Sequence, residues 1–66
     1  MDIHDLKIFL MIAQEGSVSK ASKILYMTPQ GTSKVLKNLE TEMGCQLFIR
    51  DKSGMQLTES GERFRE

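Results

Sequence analysis

The chain has 66 residues, a formal net charge of +0, one cysteine and one histidine. A chain of this length forms one domain and buries only about 60% of the surface that it exposes when unfolded, which excludes a large internal pocket. One cysteine and one histidine also exclude an intramolecular disulfide and a metal site of the usual Cys/His spacing. We therefore expect no metal and no cofactor.

The first residues, MDIHDLKIFLMIAQEG, carry acids where a signal peptide carries bases, and polar residues interrupt the apolar ones. This pattern excludes a signal peptide and a membrane span. The lone thiol of Cys45 is typical of a reducing compartment. We expect a cytoplasmic protein that does not enter a membrane.

The charges are unevenly distributed along the chain. Between Gly16 and Leu39 there are four lysines and no acid, whereas the other residues hold all nine acids and only five bases. The overall pI of about 6.6 is low for a nucleic-acid-binding domain, since such domains are often basic. The basic segment nevertheless favours a surface that meets an anion.

The first predicted helix covers Ile3 to Ala13, where apolar residues recur at spacings of three and four. Its predicted inward stripe consists of Ile3, Leu6, Phe9, Leu10 and Ala13. Ile8 and Met11 lie partly off this stripe, and His4 is expected to be solvated. Gly16 is suited to end the helix, because glycine readily adopts the left-handed conformation of a helix C-terminus.

A short second helix is predicted from Val18 to Tyr26, with Ser17 or Ser19 as its N-cap. Its inward residues are Val18, Ala21, Ser22 and Leu25. The small residues among them allow another helix to approach closely, as a tight helix-turn-helix requires. Only about three residues then separate this helix from the next, so the pair is sharply bent.

The third helix is predicted to begin at Pro29, because Thr28 is a good N-cap and proline at the first helical position lacks no needed N–H. Gly44 ends it. Its inward sector contains Thr32, Leu36, Leu39 and Met43, with Val35 at the edge. The opposite face carries an amide, a hydroxyl and two lysines, and no acid: Gln30, Ser33, Lys34 and Lys37. Such a face either meets an anion or is simply solvated.

After Gly44 the pattern becomes strand-like, with apolar and polar residues around the charged loop 50–54. This predicts a two-stranded hairpin, the wing, over about 47–57. Thr58 is suited to cap a last helix, in which Phe64 is the inward residue. That helix stops after about two turns, so we expect the chain to be a fragment of a longer protein.

Three helices followed by a hairpin predict a mainly α fold of the winged helix-turn-helix type. In this arrangement the helix over 29–42 lies in the major groove of DNA. At about 1.5 Å per residue it is roughly 20 Å long, enough to cross a groove about 12 Å wide. Gln30 and Ser33 carry donors and acceptors that can read base edges.

Over essentially its whole length the sequence resembles the N-terminal DNA-binding domain of LysR-type transcriptional regulators. The matching segments are MDIHDLKIFLMIAQEGSVSKAS, TPQGTSKVLKNLE, MGCQLFIR and LTESGE, in this order and spacing. The resemblance implies a winged helix-turn-helix domain over 1–58, with the helix-turn-helix at about 18–37, followed at 59–66 by the start of a linker helix.

The resemblance also implies the partners and the residues that contact them. It implies a bacterial regulator that binds double-stranded operator DNA, acts as a homodimer or tetramer, and receives a small-molecule effector through a C-terminal domain that is absent here. The 66-residue fragment itself is expected to be mostly monomeric. The candidate DNA contacts are Thr28, Gln30, Thr32, Ser33, Lys34, Lys37, Lys52 and Ser53.

Three positions depart from the pattern of the family. Gly31 and Thr32 stand where alanine and a larger aliphatic residue are common, and Lys34 replaces the usual arginine. Lysine lacks the planar, bidentate donors of arginine, so Lys34 is a weaker candidate for base reading.

The sequence leaves two questions open, one about Arg50 and one about the function of the domain. Arg50 can reach a phosphate from the base of the wing or pair with Glu40 within the domain. The domain as a whole either binds specific DNA sequences, with the wing on the backbone or in the minor groove, or serves as a protein-binding module. No nucleophile with a base, carboxylate pair or phosphate loop can be assembled, so we expect no catalytic residues and no enzyme.

Overall fold

Four helices and one antiparallel hairpin follow each other along the chain in the computed structural model, which describes residues 2–65. Their bounds are α1 (Ile3–Glu15), α2 (Val18–Leu25), α3 (Pro29–Met43), β1 (Phe48–Asp51), β2 (Gly54–Leu57) and α4 (Glu59–Arg65). This confirms the mainly α, winged helix-turn-helix architecture. The predicted ranges 1–58 and 59–66 extend to Met1 and Glu66, which lie outside the described residues.

Each helix starts at a side chain that accepts a hydrogen bond from the first turn, where backbone N–H groups lack a helical partner. Asp2 caps α1, Ser17 caps α2 and accepts from the Lys20 N–H, and Thr28 caps α3. The Thr58 hydroxyl accepts from the Gly61 N–H at 3.0 Å at the start of α4. The structure thus selects Ser17 over Ser19 as the cap of α2.

The core lies where α1, α2 and α3 meet the hairpin. Its buried apolar residues are Ile8, Phe9, Ile12, Val18, Ala21, Leu36, Leu39, Leu47 and Phe48. Phe64 of α4 packs against it, with its ring centroid 4.9 Å from that of Phe9. The predicted inward position of Phe64 is therefore confirmed.

The predicted inward stripe of α1 is confirmed at Phe9, which is buried, and at Leu6 and Ala13, which are partly buried against the core, but it is wrong at Ile3 and Leu10. Ile3 is 72% exposed and Leu10 41% exposed, whereas Ile8 is completely buried. The segment 8–13 is apolar throughout, so helical periodicity alone does not fix which side of α1 faces inward. On α3, Thr32 and the two leucines are buried as predicted, but Met43 is 41% exposed because α3 ends there.

The wing is fastened to the helices through its backbone. The Met55 N–H donates to the Gly16 carbonyl at 2.9 Å, and the Thr58 N–H donates to the Leu47 carbonyl at 3.0 Å. Gly54 has a φ of +119°, and a Cβ at this position would clash with the carbonyl oxygen of Gly16. Glycine at position 54 therefore allows the hairpin to lie directly against the end of α1.

Candidate nucleic-acid interface

The polar face of α3 is exposed along its first two turns, as predicted. Gln30, Ser33, Lys34 and Lys37 all lie at the surface. Among the described residues, the ion pairs join only side chains within α4, so Lys34 and Lys37 have no acidic partner there. Two uncompensated ammonium groups on an exposed helix face attract anions.

Thr32 does not belong to this exposed face, which corrects its prediction as a DNA contact. Its side chain has 0% exposure. Its hydroxyl lies 2.8 Å from the Ser22 hydroxyl and 3.1 Å from the Thr28 carbonyl. Thr32 therefore belongs to the packing between α2 and α3.

Thr28 lies at the start of the exposed face, but its hydroxyl already has a structural function. The Thr28 Oγ1 accepts from the Gly31 N–H at 3.0 Å. The hydroxyl proton of Thr28 remains available to an acceptor outside the domain, because a hydroxyl both donates and accepts.

An open groove of about 480 Å³ runs beside the start of α3. It is lined by residues of α2, α3 and β1: Val18, Ser19, Pro29, Gln30, Ser33 and Arg50. A second hollow of about 230 Å³ continues from it along the wing, where Arg50, Asp51 and Lys52 form part of its lining. The first turns of α2 and α3 and the base of the wing therefore share one surface.

Arg50 lines both hollows, and it does not pair with Glu40. The pair with Glu40, one of the two interpretations that the sequence left open, is wrong, because the Glu40 carboxylate instead accepts from the backbone N–H groups of Leu47 at 2.7 Å and Phe48 at 3.3 Å. Among residues 2–65, Arg50 takes part in no ion pair. Within the part of the chain that the structure describes, its guanidinium therefore has no carboxylate partner.

At the wing tip, Lys52 and Ser53 are exposed. Ser53 is already engaged, since both its N–H and its hydroxyl donate to the Asp51 carboxylate, at 2.8 and 3.0 Å. These bonds close the tip and leave the Lys52 ammonium as its projecting cation. The geometry favours Lys52 over Ser53 as a contact to an anion.

Among the polar residues that line the groove, Ser19 was missing from the predicted contacts, and Arg50 had been left open between a phosphate and Glu40. Ser19 follows the cap of α2, and Arg50 lies on β1, far from α3 in sequence. No local pattern predicts that these positions meet, because their proximity results from the packing of the hairpin against the helices.

At the far end of α1, the ligand atoms of Asp2, His4 and Asp5 lie within 4.8 Å of one another. Asp2 is the N-cap of α1 and accepts from the Asp5 N–H at 2.9 Å. The structural role of this carboxylate accounts for its position.

Within residues 2–65, no helix is both long and apolar enough to cross a membrane.

Comparisons with known proteins agree with this geometry. Residues 3–62 match the model of the bacterial regulatory helix-turn-helix proteins of the lysR family. The transcriptional activator IlvY of Salmonella typhimurium is 35% identical over 65 residues, which cover 98% of this chain and 22% of IlvY. The chain therefore spans about a fifth of the length of this relative.

Solved structures of the same family superpose closely on the chain. The BenM_DBD complex with catB site 1 DNA has a TM-score of 0.93 at 31% identity, covering 98% of this chain and 73% of that one. The CbnR_DBD–DNA complex has a TM-score of 0.92 at 29% identity, covering 98% and 75%. The chain belongs to the lysR family of bacterial regulatory helix-turn-helix proteins.

Proposed function

We propose that this chain binds double-stranded DNA in a sequence-specific manner, with α3 in the major groove. The observation that carries the proposal is the exposed face of α3, whose amide and hydroxyl line the groove shared with α2 and β1 and whose two lysines have no acidic partner among residues 2–65. The 15 residues of α3 span roughly 22 Å at about 1.5 Å per residue. This length crosses a major groove about 12 Å wide.

Within this face we assign base reading to Gln30 and Ser33 and phosphate contact to the lysines. An amide offers both a donor and an acceptor, which suits the two adjacent groups of adenine in the major groove. Lys34 and Lys37 are point charges on flexible stems and suit phosphates. The lysines therefore position α3, and Gln30 and Ser33 give it specificity.

A second phosphate contact is proposed where α2 meets the wing. The backbone N–H groups at the start of α2 carry partial positive charge, and Ser19 and Arg50 line the same groove there. Lys52 extends this positive edge toward the neighbouring backbone or the minor groove. Contacts on both sides of α3 would fix its orientation across the major groove.

The alternative function, a protein-binding module, is less favoured. The similar solved structures include DNA complexes that superpose over 98% of the chain. The relatives are named as transcriptional regulators. We propose that the whole protein is likewise a cytoplasmic transcriptional regulator and not an enzyme, that it binds DNA as a dimer or tetramer, and that a further domain receives its effector.

The proposal is tested by selecting bound duplexes from a random pool and measuring their affinity for the chain. Reversing the charge of both lysines, by Lys34→Glu with Lys37→Glu, should abolish detectable DNA binding. The circular-dichroism melt should stay unchanged. A matched control, Lys7→Glu with Arg63→Glu, changes the net charge equally at exposed sites on α1 and α4, outside the polar face of α3. Equal loss in both variants, or no loss in the first, would contradict the proposal.

A further inference from the structure

The corner between α2 and α3 contains a buried pair of hydroxyl groups. Ser22 of α2 is 1% exposed and Thr32 of α3 is 0% exposed. Their oxygens lie 2.8 Å apart, a good distance for an O–H···O hydrogen bond. Among the described residues, this is the one side-chain hydrogen bond that joins α2 to α3.

Each hydroxyl also lies close to a carbonyl of its own helix. The Ser22 hydroxyl is 2.7 Å from the Val18 carbonyl, and the Thr32 hydroxyl is 3.1 Å from the Thr28 carbonyl. Two hydroxyl protons thus serve three contacts, since each hydroxyl donates only once. Either Ser22 donates to Thr32, which donates to the Thr28 carbonyl, or Thr32 donates to Ser22, which donates to the Val18 carbonyl. If both protons pointed to the carbonyls, two oxygens 2.8 Å apart would face each other with no proton between them, so this third arrangement is unfavourable.

This hydrogen bond lies close to the exposed face of α3 and can therefore affect its orientation. Thr32 directly precedes Ser33 and is two residues after Gln30, the two residues assigned to base reading. Apolar residues of both helices, such as Ala21 and Leu36, belong to the same buried cluster, and apolar contact is not directional. A hydrogen bond is directional, so it restricts sliding and rotation of α3 on α2.

We propose that Ser22 and Thr32 are positioning residues for DNA reading. They hold α3 at the rotation at which Gln30 and Ser33 meet base edges. This inference rests on the proposed function of α3. Loss of the Ser22–Thr32 hydrogen bond should reduce the discrimination between DNA sequences. It should have little effect on the affinity for random DNA, which depends on the lysines.

Two substitutions of Thr32 separate positioning from packing. Thr32→Val keeps the volume and removes the hydroxyl, whereas Thr32→Ser keeps the hydroxyl and removes a methyl group. We expect Thr32→Val to lower the affinity ratio between a selected and a random duplex by about two- to tenfold, which corresponds to the net free energy of one hydrogen bond. Thr32→Ser should leave this ratio within about twofold, although it loses buried methyl contacts.

Ser22→Ala should lower the ratio as much as Thr32→Val does, and the double variant should lower it no further, because both remove the same bond. The single variants should fold, since each remaining hydroxyl keeps a carbonyl acceptor. Thr41→Val is the matched control. The Thr41 hydroxyl also donates to a carbonyl of its own helix, that of Lys37, but it is exposed and makes no bond to α2.

The same variants are compared without DNA, by the amide chemical shifts of residues 30–34. These shifts should move in Thr32→Val and Ser22→Ala, and stay near the parent values in Thr32→Ser and Thr41→Val. An unchanged ratio in Thr32→Val, or a loss in Thr32→Ser as large as in Thr32→Val, would overturn the positioning role. A parent chain that distinguishes no duplex from random DNA would overturn the proposed function itself, whatever the amide shifts do.

Discussion

The helix-turn-helix corner and the wing are attached to the fold by different kinds of contact. At the corner, α3 meets α2 through side chains, including the Ser22–Thr32 hydroxyl pair. At the wing, Leu47 and Phe48 are buried in the core, and the polar contacts are made by main-chain groups, such as the Met55 N–H on the Gly16 carbonyl. Even Glu40, which links α3 to the wing, accepts from backbone N–H groups.

This difference indicates which substitutions can change which property. Backbone attachment places few demands on the outward side chains of the wing, and Ile49, Arg50 and Lys52 are all exposed, whereas Leu47 and Phe48 are buried in the core. The wing surface can therefore vary without moving the wing. At the corner, the position of the reading face depends on the identity of buried side chains. We expect corner substitutions to change specificity and wing substitutions to change affinity.

The largest effect on stability is expected from removing buried contacts between α3 and the core. Leu39 is 1% exposed, and Leu39→Ala should lower the free energy of unfolding by about 2 to 5 kcal/mol, because it removes buried methyl groups and leaves a cavity. Met43→Ala, at a 41% exposed position of the same helix, should cost less than about 1 kcal/mol. Circular-dichroism melts measure both. A melt of Leu39→Ala equal to that of the parent would mean that α3 is rotated differently.

A smaller effect is expected from detaching the wing. Glu40→Ala leaves two backbone N–H groups, of Leu47 and Phe48, without their acceptor, which should cost about 1 to 3 kcal/mol. Glu40→Gln retains an amide oxygen as acceptor and should cost less. Urea unfolding gives the free energies, and amide hydrogen exchange locates the change. If exchange at Leu47 does not accelerate in Glu40→Ala, this carboxylate does not hold the wing.

Base reading is tested by Gln30→Ala. Loss of the amide should reduce discrimination between a selected and a random duplex by about 1 to 3 kcal/mol. Affinity for the random duplex should stay near that of the parent, because Gln30 carries no charge. Competition binding with both duplexes gives this comparison.

The smallest change is expected from Lys37→Ala. It should weaken selected and random duplexes about equally and lower the slope of log affinity against log salt by about one unit, because one phosphate contact is lost. Titrations at several salt concentrations measure the slope. If Lys37→Ala and Gln30→Ala changed the affinity for random DNA equally, the division into phosphate-contacting and base-reading residues would be wrong.

The sequence predicted the parts of this fold that depend on neighbouring residues. Thr28 and Pro29 defined the start of α3, and Gly16 and Gly44 the ends of α1 and α3, because caps act within a few residues. Thr58 likewise defined the start of α4.

Features that depend on distant contacts were predicted less well. Because residues 8–13 of α1 are all apolar, the sequence did not determine which side of α1 faces inward. That side depends on how α2, α3 and the hairpin pack against α1. Arg50 could be assigned to neither interpretation, because its position beside Ser19 depends on the docking of the wing. Thr32 was expected both in the inward sector and among the DNA contacts, and only its burial distinguishes the two.

The central claim is that DNA lies along the exposed face of α3 and the adjoining groove. An NMR titration with a selected duplex tests it most directly, because every backbone amide except that of Pro29 reports separately. We expect the largest shifts at Gln30, Ser33 and Lys37, with further shifts at Ser19 and Arg50, and small shifts along α4. Shifts concentrated on α1 around Ile3 and Leu10, with the start of α3 unaffected, would contradict it.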